Sequence, residues 1–173
     1  MYQKWNRYKI LKAFFDEPNR KWQLRQLERM VGLGLPSVKS HVEALLKERL
    51  IRIEEDGIYR SYKASMSDDF RTYKLNDLLV RLRSCGLIKE LEEKCTPNCI
   101  VLYGSGADGR DDERGDIDIF VESKEKKIDL VQYEKDLHRK ISLMFEFDAK
   151  KLNHEFKNTL ANGIVLSGFL KVS

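Results

Sequence analysis

Apolar positions in the first 65 residues recur three times at helical spacing and then switch to alternation. Tyr8, Ile10, Leu11, Phe14 and Phe15 predict a helix from Trp5 to about Phe15, broken by Asp16-Glu17-Pro18-Asn19. Leu24, Leu27 and Met30 share one face of a second helix, Trp22 to about Val31, with a turn at Gly32-Leu33-Gly34. Pro36 suits the first residue of a third helix, since its missing N–H costs nothing there. That helix runs to about Arg49 with Val38, Val42, Leu45 and Leu46 inward. Ile51 and Ile53 then alternate, Asp56-Gly57 predicts a tight turn, and Ile58 to Tyr62 returns as a hairpin strand.

A second helical stretch follows Asp68-Asp69. From Thr72 to about Cys95, Leu75, Leu78, Leu79, Leu82, Leu87 and Leu91 repeat at helical spacing, and Gly86 divides the stretch in two. Thr96-Pro97-Asn98 marks a boundary. Beyond it the pattern predicts strands at Cys99–Tyr103, Asp116–Glu122 and Ile141–Phe147. Helices are expected at about Asp129–Lys140 and Leu152–Ala161, and a last apolar segment at Gly163–Leu170. The expected organisation is an α+β chain with an N-terminal domain at 1–67, a helical linker at 68–97 and a C-terminal domain at 98–173 containing a mixed sheet with flanking helices.

Charge sharpens this division. Residues 1–75 carry 16 Lys and Arg against 10 Asp and Glu, whereas residues 98–173 carry 12 against 14. The basic surplus lies where a nucleic-acid footprint is expected. No apolar run reaches bilayer-spanning length, and the first fifteen residues do not read as a secretory signal. Cys85, Cys95 and Cys99 form no even disulfide set, so a reduced, cytoplasmic protein without membrane partners is expected. Cys95 and Cys99 lack the second ligand pair of a zinc site.

The chemistry concentrates at Leu102-Tyr103-Gly104-Ser105 and Asp116-Ile117-Asp118-Ile119. Glycine lets a backbone approach phosphate closely, and Ser105 offers a hydroxyl and an N–H to phosphate oxygens. Asp116 and Asp118 at i and i+2 point to one face of a strand. Two hard oxygen ligands on one face suit Mg2+, which takes carboxylates together with substrate phosphates. Gly104-Ser105, ten intervening residues and Asp116-Ile117-Asp118 resemble the signature of the DNA polymerase beta nucleotidyltransferase superfamily, and within it the minimal nucleotidyltransferases.

The resemblance covers about residues 96–173. It implies a nucleotidyltransferase-like fold, Mg2+ as cofactor, and a nucleoside triphosphate (ATP) held by Gly104, Ser105 and Arg110. A third metal ligand or base is expected on the next strand. Glu146 is the first candidate there and Asp148 the second. The loop departs from the related pattern, with Asp108 where an Arg is usual and Gly115 where a Ser often precedes the first Asp. Asp111, Asp112 and Glu113 add negative charge, which disfavours a triphosphate unless cations offset it.

Three helices and a hairpin, about residues 5–65, resemble the winged helix-turn-helix of transcription regulators. That resemblance implies double-stranded DNA as partner, with the third helix in the major groove. Ser37, Ser40 and His41 are then the candidates for base edges. Lys39, Lys47 and Arg60 are the candidates for phosphates. Together the resemblances imply a DNA-binding regulator, expected as a homodimer, that transfers a nucleotidyl group to a protein or small-molecule hydroxyl. An antitoxin-like role beside a helical toxin-like protein belongs to the same implication. The alternative is a non-enzymatic transcription regulator with a degenerate nucleotidyltransferase domain.

Overall fold

The computed structural model describes residues 2–55, 59–148 and 151–171. The chain divides into two compact units, Met1–Lys74 and Leu75–Ser173. It is an α+β protein. Among the described residues no helix is long and apolar enough to cross a membrane.

The first unit contains α1 (Tyr2–Asp16), α2 (Leu24–Val31) and α3 (Leu35–Lys47), then β1 (Ile51–Glu54) and β2 (Ser61–Ala64). α1 stops before Glu17-Pro18, because the residue before proline is driven out of the helical region. Ile10, Phe14, Leu27, Val38, Val42 and Leu45 are essentially sealed from solvent and form the centre of the core. Trp22 does not open the second helix, as its position predicts. Its backbone instead exchanges two 2.8 Å hydrogen bonds with Tyr62 on β2. The helix starts two residues later, where the Gln26 side chain accepts the Gln23 N–H at 2.9 Å. Trp22 is buried, whereas Trp5 is 58 % exposed and Met30, expected on the inward face of the second helix, is 47 % exposed.

β1 and β2 pair antiparallel from Ile51↔Ala64 to Glu54↔Ser61. The return strand is described from Ser61, and Ile58, where it was expected to begin, lies outside the described residues. The expected Asp56-Gly57 turn lies outside the described residues.

The expected separate linker at 68–97 is not a body of its own. α4 (Asp68–Ser84) runs across the division between the units, and α5 (Leu87–Cys95) belongs to the second. Phe70 joins the first core, while Leu78, Leu82, Leu87 and Leu91 join the second. Gly86 separates the two helices with φ +87°, a left-handed conformation that residues with a Cβ rarely adopt.

In the second unit β3 (Cys99–Tyr103), β4 (Ile117–Val121), β5 (Ile141–Phe145) and β6 (Ile164–Gly168) form a sheet of order β5-β4-β3-β6. β3 is antiparallel to β4 and β6. β4 and β5 are parallel, joined through α6 (Val131–Leu137). Parallel strands need such a crossover. Strand alternation sends Ile100, Leu102, Ile117, Ile119 and Val121 into the core that also holds α4 and α5 residues. It sends Cys99, Val101 and Phe120 to the opposite face, with Leu160 of α7 (His154–Ala161). Both faces of β3 are thus buried, and its unbroken apolar run reflects that. Burial and the neighbouring Glu122 carboxylate, 3.5 Å from the Cys99 sulfur, push the Cys99 thiol up to about 12.

Candidate functional site

Antiparallel pairing builds the site. Tyr103, at the end of β3, is the partner of Asp118 near the start of β4. Chain reversal between these strands therefore brings Gly104 beside Asp118. A short 3-10 turn, Gly104–Asp108, follows β3 directly. Gly104 has φ +71°, and a Cβ placed on it would come within 2.6 Å of Asp118 Oδ2. No real Cβ sits that close. Only glycine lets the turn lie against the Asp118 carboxylate.

Asp116 is exposed just before β4, and Asp118 is half-buried on the face shared with Phe120. Burial raises the Asp118 pKa above the usual carboxylate value. The Asp116 charge raises it further, and the Arg139 guanidinium works against both. Burial and the Asp118 charge likewise raise the Tyr103 phenol. Two mutually repelling carboxylates, one of them partly desolvated, are a donor set that a hard cation would relieve. The pair and the close-lying Gly104 turn fit Mg2+ with a phosphate chain.

Gly104, Ser105, Asp108, Arg110, Thr159 and Asn162 line an open cleft of about 310 Å³. That volume is at the small end of ligand pockets, which start near ~300 Å³. Arg110 reaches this cleft, yet its guanidinium is held by Asp108, with Nε 2.7 Å from Oδ2. Thr159 and Asn162, at the end of α7, carry no sequence signal of their own. Asp116 lines a different cavity of about 480 Å³ with Arg114, Lys135, His138, Arg139 and Lys140.

The acidic loop is neutralised from within. Arg139 pairs with the buried Asp111. Its Nη2 also reaches the Gly115 carbonyl at 2.6 Å and the Asp116 carbonyl at 3.1 Å. Asp112 Oδ1 accepts the Arg114 and Gly115 N–H groups at 3.0 and 3.1 Å. Two carboxylates thus shape the backbone that enters β4 instead of facing a ligand. No motif announces Arg139, because its partners lie more than twenty residues upstream.

Glu146 is not part of this constellation, and this corrects the expectation. β4 and β5 pair as Asp118↔Ser142 and Val121↔Phe145, so Glu146 lies beyond the opposite end of the paired strands. At ~3.3 Å per residue it stands roughly 13 Å along the strand from Ser142. Asp148 is farther still, and its N–H bonds to Glu146 Oε1 at 3.1 Å. The strand expected to reach Phe147 stops at Phe145, one residue short of Glu146, and pairing register is invisible in one strand's sequence. Among the described residues no three His, Cys, Asp or Glu side chains gather as a metal site.

Residues 86–170 match the family model described as Polymerase beta, Nucleotidyltransferase. The match lies within the second unit and contains the Gly104 turn, both aspartates and Arg139. It supports a nucleotidyltransferase-like function for that unit. No curated protein and no solved structure matches the chain.

In the first unit, Lys39, Ser40, Lys47 and Arg60 are exposed and Ser37 is half-buried. Arg60 lines a cavity of about 570 Å³ with Gln23, Leu24, Arg25, Leu35 and Tyr59. His41 is a second correction. It is only 7 % exposed and lies on the inward face with Val38, Val42 and Leu45. Positions 38, 41, 42 and 45 follow i, i+3, i+4 and i+7, the core stripe of a helix. Burial, together with the Arg7 charge, lowers the His41 pKa, so the ring is neutral and enclosed.

Proposed function

We propose that this chain is a DNA-binding regulator whose nucleotidyltransferase-like unit binds a nucleoside triphosphate, probed first as ATP, together with Mg2+. The observation that carries the nucleotide half is the approach of Gly104 to Asp118. It sets a phosphate-type turn against one carboxylate of the pair. The turn N–H groups and the Ser105 hydroxyl would receive phosphate oxygens. Asp116 and Asp118 would hold the metal. Bound there, Mg2+ neutralises phosphate charge and polarises the phosphoryl oxygens. Arg139 keeps the Asp116 backbone in place for this purpose.

The DNA half is supported by the first unit's architecture and charge. Three helices precede a two-stranded hairpin, and the Trp22–Tyr62 bridge ties the segment before α2 to that hairpin. This arrangement accords with a winged helix. Lys39, Ser40 and Lys47 on α3 and Arg60 before β2 present donors to solvent. Ser37, at the start of α3, belongs to the same surface. His41 has no part in it. A homodimer reading two half-sites completes the proposal.

Calorimetric titration of ATP and MgCl2 into the intact protein tests the nucleotide half, with the Asp116→Asn/Asp118→Asn double variant in parallel. Metal-dependent binding by the wild type alone is expected. Equal heats from both proteins would remove the aspartates from the site, and no heat from a folded wild type would remove the proposal.

A further inference from the structure

We infer that this site carries one divalent ion per bound triphosphate, not a pair, because β5 presents Ser142 where a second ion needs a carboxylate. The inference rests on the nucleotide reading above and specifies how that site is loaded.

Geometry carries the argument. Asp118 is flanked on β3 by its partner Tyr103 and on β5 by its partner Ser142. Cα partners in a sheet share a face, and the diagonal positions lie two residues away along each strand. On the β5 side those diagonals are Met144 in the strand and Lys140 just before it, and on the β3 side they are Val101 in the strand and Ser105 in the turn beyond it. Among all these neighbours there is no carboxylate. Asp116, two residues back and just before β4, is the acidic companion of Asp118.

Charge points the same way. Paired catalytic ions lie ~3.5–4 Å apart, so they repel strongly and need bridging carboxylates on more than one side. Here Arg139 acts on Asp118, and the Lys140 ammonium feels Asp116. Lys140 is held nearby, with its Nζ 2.7 Å from Glu134 Oε2. Two aspartates facing two cations can accommodate one dication accompanied by an anionic triphosphate. A second dication would have Ser142, a neutral ligand, in place of a charged one. The hydroxyl of Ser142 is also too weak a base to take a proton from an acceptor alcohol.

Counting bound Mn2+ by electron paramagnetic resonance tests the inference, using the intact protein saturated with α,β-methylene-ATP. The wild type is expected to take one Mn2+ per bound nucleotide and Ser142→Asp two. Two ions in the wild type would overturn the inference while leaving the nucleotide reading intact. One ion in a folded, nucleotide-binding Ser142→Asp variant would overturn the role given to Ser142. No nucleotide binding by the folded wild type would overturn both readings. If Ser142→Asp fails to fold, the wild-type count alone decides.

Discussion

The Gly104 backbone lies against the Asp118 carboxylate, so closely that a methyl group on residue 104 would press 2.6 Å from Asp118 Oδ2. Gly104→Ala therefore separates site from fold. The left-handed φ costs ~1–2 kcal/mol, a loss a unit of this size can tolerate. The larger effect is local, because Asp118 must rotate away to make room. Mg2+-dependent ATP affinity is expected to fall at least tenfold while the circular dichroism spectrum is unchanged, which calorimetry and a thermal melt will check.

Asp118→Asn is expected to stabilise the ligand-free protein. The folded pKa of Asp118 is raised by burial and by Asp116. A carboxyl raised in the folded state keeps its proton to higher pH than the unfolded chain does. Stability thus declines as pH climbs from the ordinary carboxylate value through the folded one, and that loss persists at neutral pH. Urea unfolding should show the variant above the wild type at pH 7 and the gap closing near pH 3. A variant less stable than the wild type at pH 7 would contradict the electrostatic account.

Removing Arg139 should loosen the loop that leads into β4. Asp111, whose side chain is 2 % exposed, would lose its cationic partner, and the Gly115 and Asp116 carbonyls would lose their donors. Breaking a buried pair from one side costs ~3–5 kcal/mol. Arg139→Ala is expected near the lower figure, because guanidinium edges reach solvent. Arg139→Lys should recover only part of it, since an ammonium cannot reproduce the planar fork. Chemical denaturation of the second unit provides the measurement.

His41 and Lys39, two positions apart on α3, should behave oppositely. The His41 pKa is lowered in the fold. Below the ordinary value of ~6.5 the unfolded chain takes up a proton that the buried ring refuses. Stability of the first unit should therefore fall as pH drops through that value, and His41→Leu should flatten the dependence. Lys39→Ala should leave stability unchanged and weaken DNA binding, lowering the log–log salt slope by about 1 for one lost phosphate contact. Fluorescence anisotropy of labelled DNA across salt concentrations would reveal an unchanged slope if Lys39 makes no such contact.

Elements with strong periodicity are legible in the chain itself. β3 was expected at the bounds it has, and the Gly86 break between α4 and α5 stands where the composition put it. Gly104-Ser105 and the Asp116/Asp118 pair are visible in the sequence because each signal is local. What stayed hidden depends on pairing between distant segments. Ser142 faces Asp118 only through the β4/β5 register, and Arg139 reaches Asp111 across 28 residues. His41 was misread for a different reason. Its spacing from Val38, Val42 and Leu45 puts it on the core stripe, but a polar ring suggests the exposed face. Trp22 entered a strand bridge because tertiary pairing overrode helical spacing.

Cys99, sealed between β4 and β6 with its thiol pushed up to about 12, makes the chain a protein with two built-in clocks. Both tryptophans, Trp5 and Trp22, belong to the first unit, and all three cysteines belong to the second. Alkylation of Cys99 must wait for its strand to open and its proton to leave. Its labelling rate therefore times the breathing of the second unit, while tryptophan emission times the first.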